Sequence, residues 1–117
     1  MKTPEFYEKK DIDAYLTSIR AYVAKPTTGG FGPSGHADRL ACIGGTFWSI
    51  EVKRPGKGPT TLQQKRMDEV RAAGGMAVAG TAEVVIAVIE KWRKTQWPTV
   101  PGPGAPLEQC GWHDTGE

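Results

Sequence analysis

Residues 37–53 read ADRLACIGGTFWSIEVK, two runs of strand-forming residues on either side of Gly44-Gly45. A glycine pair in that setting is a strong hairpin signal, because the two-residue turns that match the twist of paired strands need φ > 0 at their centre. A turn at these glycines fixes the register: Ile43 faces Thr46, Cys42 faces Phe47, and Asp38 faces Glu51. Alternation then puts Trp48, Ile50 and Val52 on one face, and Asp38, Leu40, Cys42, Phe47, Ser49, Glu51 and Lys53 on the other. Opposed like charges on an antiparallel pair are destabilising, so the Asp38–Glu51 juxtaposition asks for compensation. A divalent cation supplies it, since Mg²⁺ accepts one or two carboxylates and completes its shell with waters and substrate phosphates. Lys53, next along that face, can orient a water or neutralise charge developing on a phosphate. The plain alternative is a solvated face with Glu51 and Lys53 as a surface pair worth little.

Outward from the hairpin, Thr3-Pro4-Glu5 is a helix start, with Thr to cap, Pro at the first helical position and Glu at the positive end of the dipole. Ile12, Tyr15, Leu16, Ile19, Tyr22 and Val23 recur at helical spacing, which predicts a helix running to Lys25-Pro26. Glu8 lies within the same stripe. A carboxylate aimed at a core needs a partner or a metal, unless its place near the helix end lets it reach water. Residues 26–36, PTTGGFGPSGH, form a Gly/Pro/Ser loop with room for one short strand ahead of the hairpin. On the far side, Thr60-Thr61 opens a second helix that Gly74-Gly75 closes, MAVAG at 76–80 reads as a short buried strand, and Thr81 and Glu83 open a third helix. The chain is thus α/β in the order α-β-β-β-α-β-α, with a central mixed sheet flanked by helices. Residues 1–95 make one domain and 96–117 a Pro/Gly-rich tail or arm: residues 98–117 carry four Pro, four Gly and no Lys or Arg.

Composition narrows the class. A chain of 117 residues, 38% hydrophobic and 24% charged, suits one soluble domain. No apolar run has the length of a bilayer span, and the charged start MKTPEFYEKKDID lacks the features of a signal peptide, so a cytoplasmic protein without a membrane partner is expected. Cys42 and Cys110 lack the spacing of a zinc site and read as reduced thiols. The net charge of +2 is small, but Lys53 to Arg71 holds six basic residues against Asp68 and Glu69, an excess that can meet phosphates or simply be solvated.

Gln63 has two readings. Thr60-x-x-Gln63 is a capping box, in which the Gln side chain reaches back to a backbone N–H, and the same amide is placed to hold a water or a phosphate; Gln64 fits the box with Thr61 one residue later. His36 pairs with Lys53 in the extended register and is a minor candidate for substrate contact.

Taken together, Gly35-His36-Ala37-Asp38, then Gly45-Thr46-Phe47-Trp48-Ser49-Ile50-Glu51-Val52-Lys53, a Gly/Lys-rich loop, Thr60-Thr61-Leu62-Gln63 and Gly74-Gly75 resemble the virus-type replication-repair nuclease (VRR-NUC) domain of the PD-(D/E)xK nuclease superfamily. The resemblance spans roughly residues 5–90 and departs at Ala37, where the family usually has Pro, a change that touches strand entry rather than a ligand. It implies the restriction-endonuclease-like fold and a Mg²⁺-dependent deoxyribonuclease, with Mn²⁺ able to substitute. It further implies Asp38, Glu51 and the Val52 carbonyl as metal ligands, Lys53 as catalytic lysine, Gln63 as the motif glutamine and Glu8 as the helix-one acid. Short members of this type are phage or prophage proteins associated with dimers that cut branched DNA such as four-way junctions. Arg54, Lys57, Lys65 and Arg66 are then expected to bind the DNA backbone without base readout. A homodimer is expected because two strands need two sites, with the third helix, Trp92 and Trp97 as interface candidates. The competing reading is a catalytically silent DNA-binding module of the same fold.

Overall fold

The computed structural model describes residues 3–26 and 37–96. Helix α1 (Pro4–Ser18) leads to β1 (Tyr22–Ala24), then β2 (Arg39–Ile43), β3 (Thr46–Val52), α2 (Thr61–Ala72), β4 (Met76–Gly80) and α3 (Ala82–Gln96). One four-stranded sheet has the order β1-β2-β3-β4. β1 and β3 both pair with β2 antiparallel, and β4 joins β3 in parallel, with α2 as the crossover that a parallel pair requires.

The hairpin has the register that the glycine turn predicts, from Ile43↔Thr46 to Arg39↔Ile50. Gly44 and Gly45 both take positive φ, 56° and 85°, which a side chain at either position would resist. Asp38 lies one residue before β2, and continuation of the register sets it opposite Glu51.

The two faces of the sheet have different partners. Trp48, Ile50 and Val52 are fully buried with Ala41, Ile43 and Val78 under Ile12 and Leu16 of α1 and Val85 and Ile89 of α3. Each such large apolar side chain contributes roughly 1.5–3 kcal/mol by leaving water, so this layer anchors the fold. Trp92, half-buried, packs against this layer, and its ring meets Trp48 edge-on at 5.3 Å between centroids. α2 lies across the opposite face, where Val70 and Ala73 border a groove of about 480 Å³ floored by Leu40, Phe47 and Ser49.

One expectation is corrected. The helical spacing of Ile19, Tyr22 and Val23 predicts a helix to Lys25, but α1 stops at Ser18 and residues 22–24 form an edge strand on Cys42, Ala41 and Leu40. Arg20, at φ 58°, turns the chain out of the helix. A three-residue strand cannot show period two strongly enough to outweigh a helical stripe that leads into it. Gln96, where the tail is expected to start, is the last residue of α3, and the rest of the expected tail, with Trp97 and Cys110, lies outside the described residues, as does His36. Among the described residues, no helix is long and apolar enough to cross a membrane.

Candidate active site

The site sits where the C-terminal end of β3 meets the N-termini of α1 and α2. Glu51 is held on β3 by its pairing with Ala79 of β4 and is only 5% exposed. Its Oε1 accepts a hydrogen bond from Gln63 Nε2 at 2.9 Å. Asp38 reaches the same region from the start of β2, where its Oδ2 accepts the Val52 backbone N–H at 2.8 Å. That bond takes the place of a ladder contact and fixes the Asp38 carboxyl against the strand that carries Glu51. Burial in the first place, and next the hydrogen-bonding Asp38 carboxyl, push the Glu51 pKa up to about 8; Lys53 opposes the shift and Glu5 adds to it.

Gln63 makes the capping box and also bonds to Glu51. Its backbone N–H donates to Thr60 Oγ1 at 3.1 Å and its Oε1 accepts from Thr60 N at 2.9 Å, which completes the capping box, while its amide nitrogen faces Glu51. One side chain therefore ties the start of α2 to the acid on β3. Gln64 instead donates to Asp68 Oδ1 along the exposed surface of α2 at 3.0 Å.

Lys53 follows β3, with its backbone N–H on the Gly80 carbonyl at 2.8 Å. With Glu5, Arg54, Lys57 and Thr60 it lines an open cleft of about 460 Å³ between the first turn of α1 and the loop before α2. The four expected DNA contacts separate here. Arg54 and Lys57 border the cleft, whereas Arg66 borders the groove on the other side of α2 and pairs with Glu69 at 3.0 Å. Lys65 is exposed, and two residues of helix turn it about 200° away from Gln63.

Glu8 requires a correction. It does not join the Asp38–Glu51 pair: its Oε1 accepts the Ala82 N–H at 2.7 Å and so caps α3, whose leading amides attract a carboxylate. The α1 acid that acts on Glu51 is Glu5, one turn earlier on the same ridge. Lys9 also belongs to the site, with its Nζ 3.4 Å from Asp38 Oδ1 and 3.6 Å from Glu5 Oε2. Glu5 lies three residues before Glu8 and Lys9 four after Glu5, spacings that set all of them on one side of α1, but spacing alone does not decide which acid meets Asp38 and Glu51.

Among the described residues, no three His, Cys, Asp or Glu side chains stand close enough to hold a metal by themselves. The donor set still suits a hard cation. Two carboxylates each have one oxygen anchored by a neutral N–H donor, and Mg²⁺ asks for one or two protein carboxylates, not a full protein cage.

A solved structure described as a VRR_NUC domain is similar to this chain with a TM-score of 0.67 and 26% sequence identity, covering 78% of this chain and 99% of that one. No family model and no curated protein matches the sequence. The resemblance seen in the hairpin and α2 motifs thus extends to the fold, which is restriction-endonuclease-like: a mixed four-stranded sheet flanked by helices.

Proposed function

We propose that the chain is a nuclease that hydrolyses DNA phosphodiester bonds with the help of Mg²⁺, Mn²⁺ being able to replace it. The observation that carries this reading is the meeting of Asp38 and Glu51 beside Lys53, with both carboxyls held from behind by Val52 N–H and Gln63. Likeness to a VRR_NUC domain supports it independently. Asp38, Glu51 and the Val52 carbonyl would hold the divalent cation, which would supply Lewis-acid chemistry toward the phosphate and its leaving oxygen. Lys53 orients the attacking water and lies next to the charge that develops as phosphorus is attacked in line. Gln63 keeps Glu51 in place, and Arg54 and Lys57 hold the flanking backbone in the cleft. No covalent enzyme intermediate is needed.

The preferred substrate under this proposal is branched DNA, cut by a homodimer, because one such domain presents one cleft and symmetric cutting of two strands requires two. A bacterial or prophage cytoplasm is the matching setting. Cleavage of four-way junction, flap and plain duplex DNA tests the reading, with Mg²⁺ or with EDTA and with Lys53→Ala alongside wild type. The expected result is metal-dependent cutting that favours the junction, reduced on the order of 100-fold or more in Lys53→Ala. Binding with no metal-dependent cutting establishes the silent module instead.

A further inference from the structure

The Asp38 carboxyl has unequal oxygens. Oδ2 is committed to the Val52 N–H at 2.8 Å, while Oδ1 faces the Lys9 ammonium at 3.4 Å. The same ammonium reaches Glu5 Oε2 at 3.6 Å, and Glu5 lies one turn earlier on α1. We propose that Lys9 is an internal counter-ion: it occupies the Asp38 oxygen that a divalent cation needs, holds the acids together while no cation is bound, and sets the affinity at which one enters.

The inference rests on the metal-dependent reading of the site and adds a residue to it. Glu5 and Asp38 bring two further carboxyls to Glu51 at the end of β3, and Lys53, just past the strand, opposes their effect on it. Lys9 approaches from α1 and bridges Glu5 and Asp38. Its side chain is 31% exposed and that of Asp38 22%, so the pair is partly withdrawn from water and is screened less than a surface pair. An ammonium makes a compact point charge on a flexible stem, and can therefore swing away without any movement of the backbone. With the other Asp38 oxygen already bonded to the strand, a cation and the ammonium compete for Oδ1. Lys9 thus acts as a positioning residue for the acids and as a threshold against entry of weakly held cations.

Calorimetric titration with Mn²⁺ alone, together with thermal unfolding in EDTA, tests this on wild type, Lys9→Gln, Lys9→Met and Lys9→Arg, with Asp38→Asn as the binding-null control. Loss of the positive charge should tighten Mn²⁺ binding about tenfold in Lys9→Gln and lower the unfolding temperature of the metal-free protein. Lys9→Met keeps the apolar stem against α1 and should behave the same way, so a folding defect peculiar to Gln does not decide the outcome. Lys9→Arg should stay near wild type in both readouts. Mn²⁺ affinity that is unchanged or weaker in both neutral variants, with wild type binding normally, overturns the counter-ion role and leaves the nuclease reading standing. Absence of Mn²⁺ binding by wild type overturns both.

Discussion

Glu51 is buried on a strand whose other face is the hydrophobic core, and its nearest ionisable neighbour is another carboxyl. Burial first, and Asp38 next, keep its proton on to about pH 8, whereas an unfolded chain releases it near 4.5. Between those values the folded, metal-free protein binds more protons than the unfolded chain, so this group makes stability fall as pH rises through that window. Urea unfolding in EDTA should show the decline in wild type and lose it in Glu51→Gln, which becomes the more stable protein at pH 8 and above; a variant that is weaker there refutes the assignment. Gln63 gives a second comparison. Thr60→Ala removes only the α2 cap and should cost about 0.5–2 kcal/mol with cleavage largely kept, while Gln63→Ala also releases Glu51 and should lower cleavage as well as stability. Equal loss of cleavage in the two variants would mean that Gln63 acts through the cap alone. The pairing of Asp38 with Glu51 was legible because a glycine turn converts residue numbers into neighbours. The exchange of Glu8 for Glu5 was not, since both acids share one helical stripe and only the position of α3 decides which of them meets an amide.

The elements themselves were readable wherever a local signal and the tertiary environment agreed. The capping box at Thr60, the hairpin glycines and the buried run of α3 each describe in sequence what packing then enforces. The signal failed at residues 19–25, where apolar spacing suits a helix and pairing with β2 suits a strand; the left-handed turn at Arg20 gives the residues to the strand. Helix α2 shows how an element's placement controls the site, because it must lie close to β3 for Gln63 to reach Glu51. Gly75 permits that approach: a Cβ there would stand 2.9 Å from Val70 Cγ1 and 3.2 Å from both Phe47 Cδ2 and the Phe47 carbonyl oxygen. Gly75→Ala should therefore push the C-terminal end of α2 off the sheet and cost roughly 1–3 kcal/mol in urea unfolding. Gly56, with nothing within 4 Å of such a Cβ, meets no such clash, although its φ of 83° strains any side chain. A loss at Gly75→Ala no larger than the conformational cost at Gly56→Ala would show that α2 has room to spare.

At the scale of the molecule, a net charge of +2 provides almost no long-range field, so attraction for DNA must come from where the cations are placed. Much of the basic excess seen between residues 53 and 71 is used internally. Arg66 pairs with Glu69, and Arg71 reaches Asp68 at 3.5 Å and donates to the Ala77 carbonyl at 2.9 Å. Arg54 and Lys57 remain exposed on the loop that borders the cleft. Each phosphate neutralised by such a cation releases condensed counterions and adds about 0.9 to the slope of log K against log salt on duplex DNA. The double variant Arg54→Ala/Lys57→Ala should accordingly flatten that slope by about 1.8 per cleft, with little change in the preference among DNA shapes, because backbone contacts carry no sequence information. Lys91→Ala on α3, which covers the opposite face of the sheet, should leave the slope unaltered. Fluorescence anisotropy in Ca²⁺, which occupies carboxylate sites and separates binding from cutting, measures both. A slope that survives the double variant but falls with Lys91→Ala would move the DNA to the α1/α3 side and away from Lys53, and the cleft would then have no claim to the phosphate.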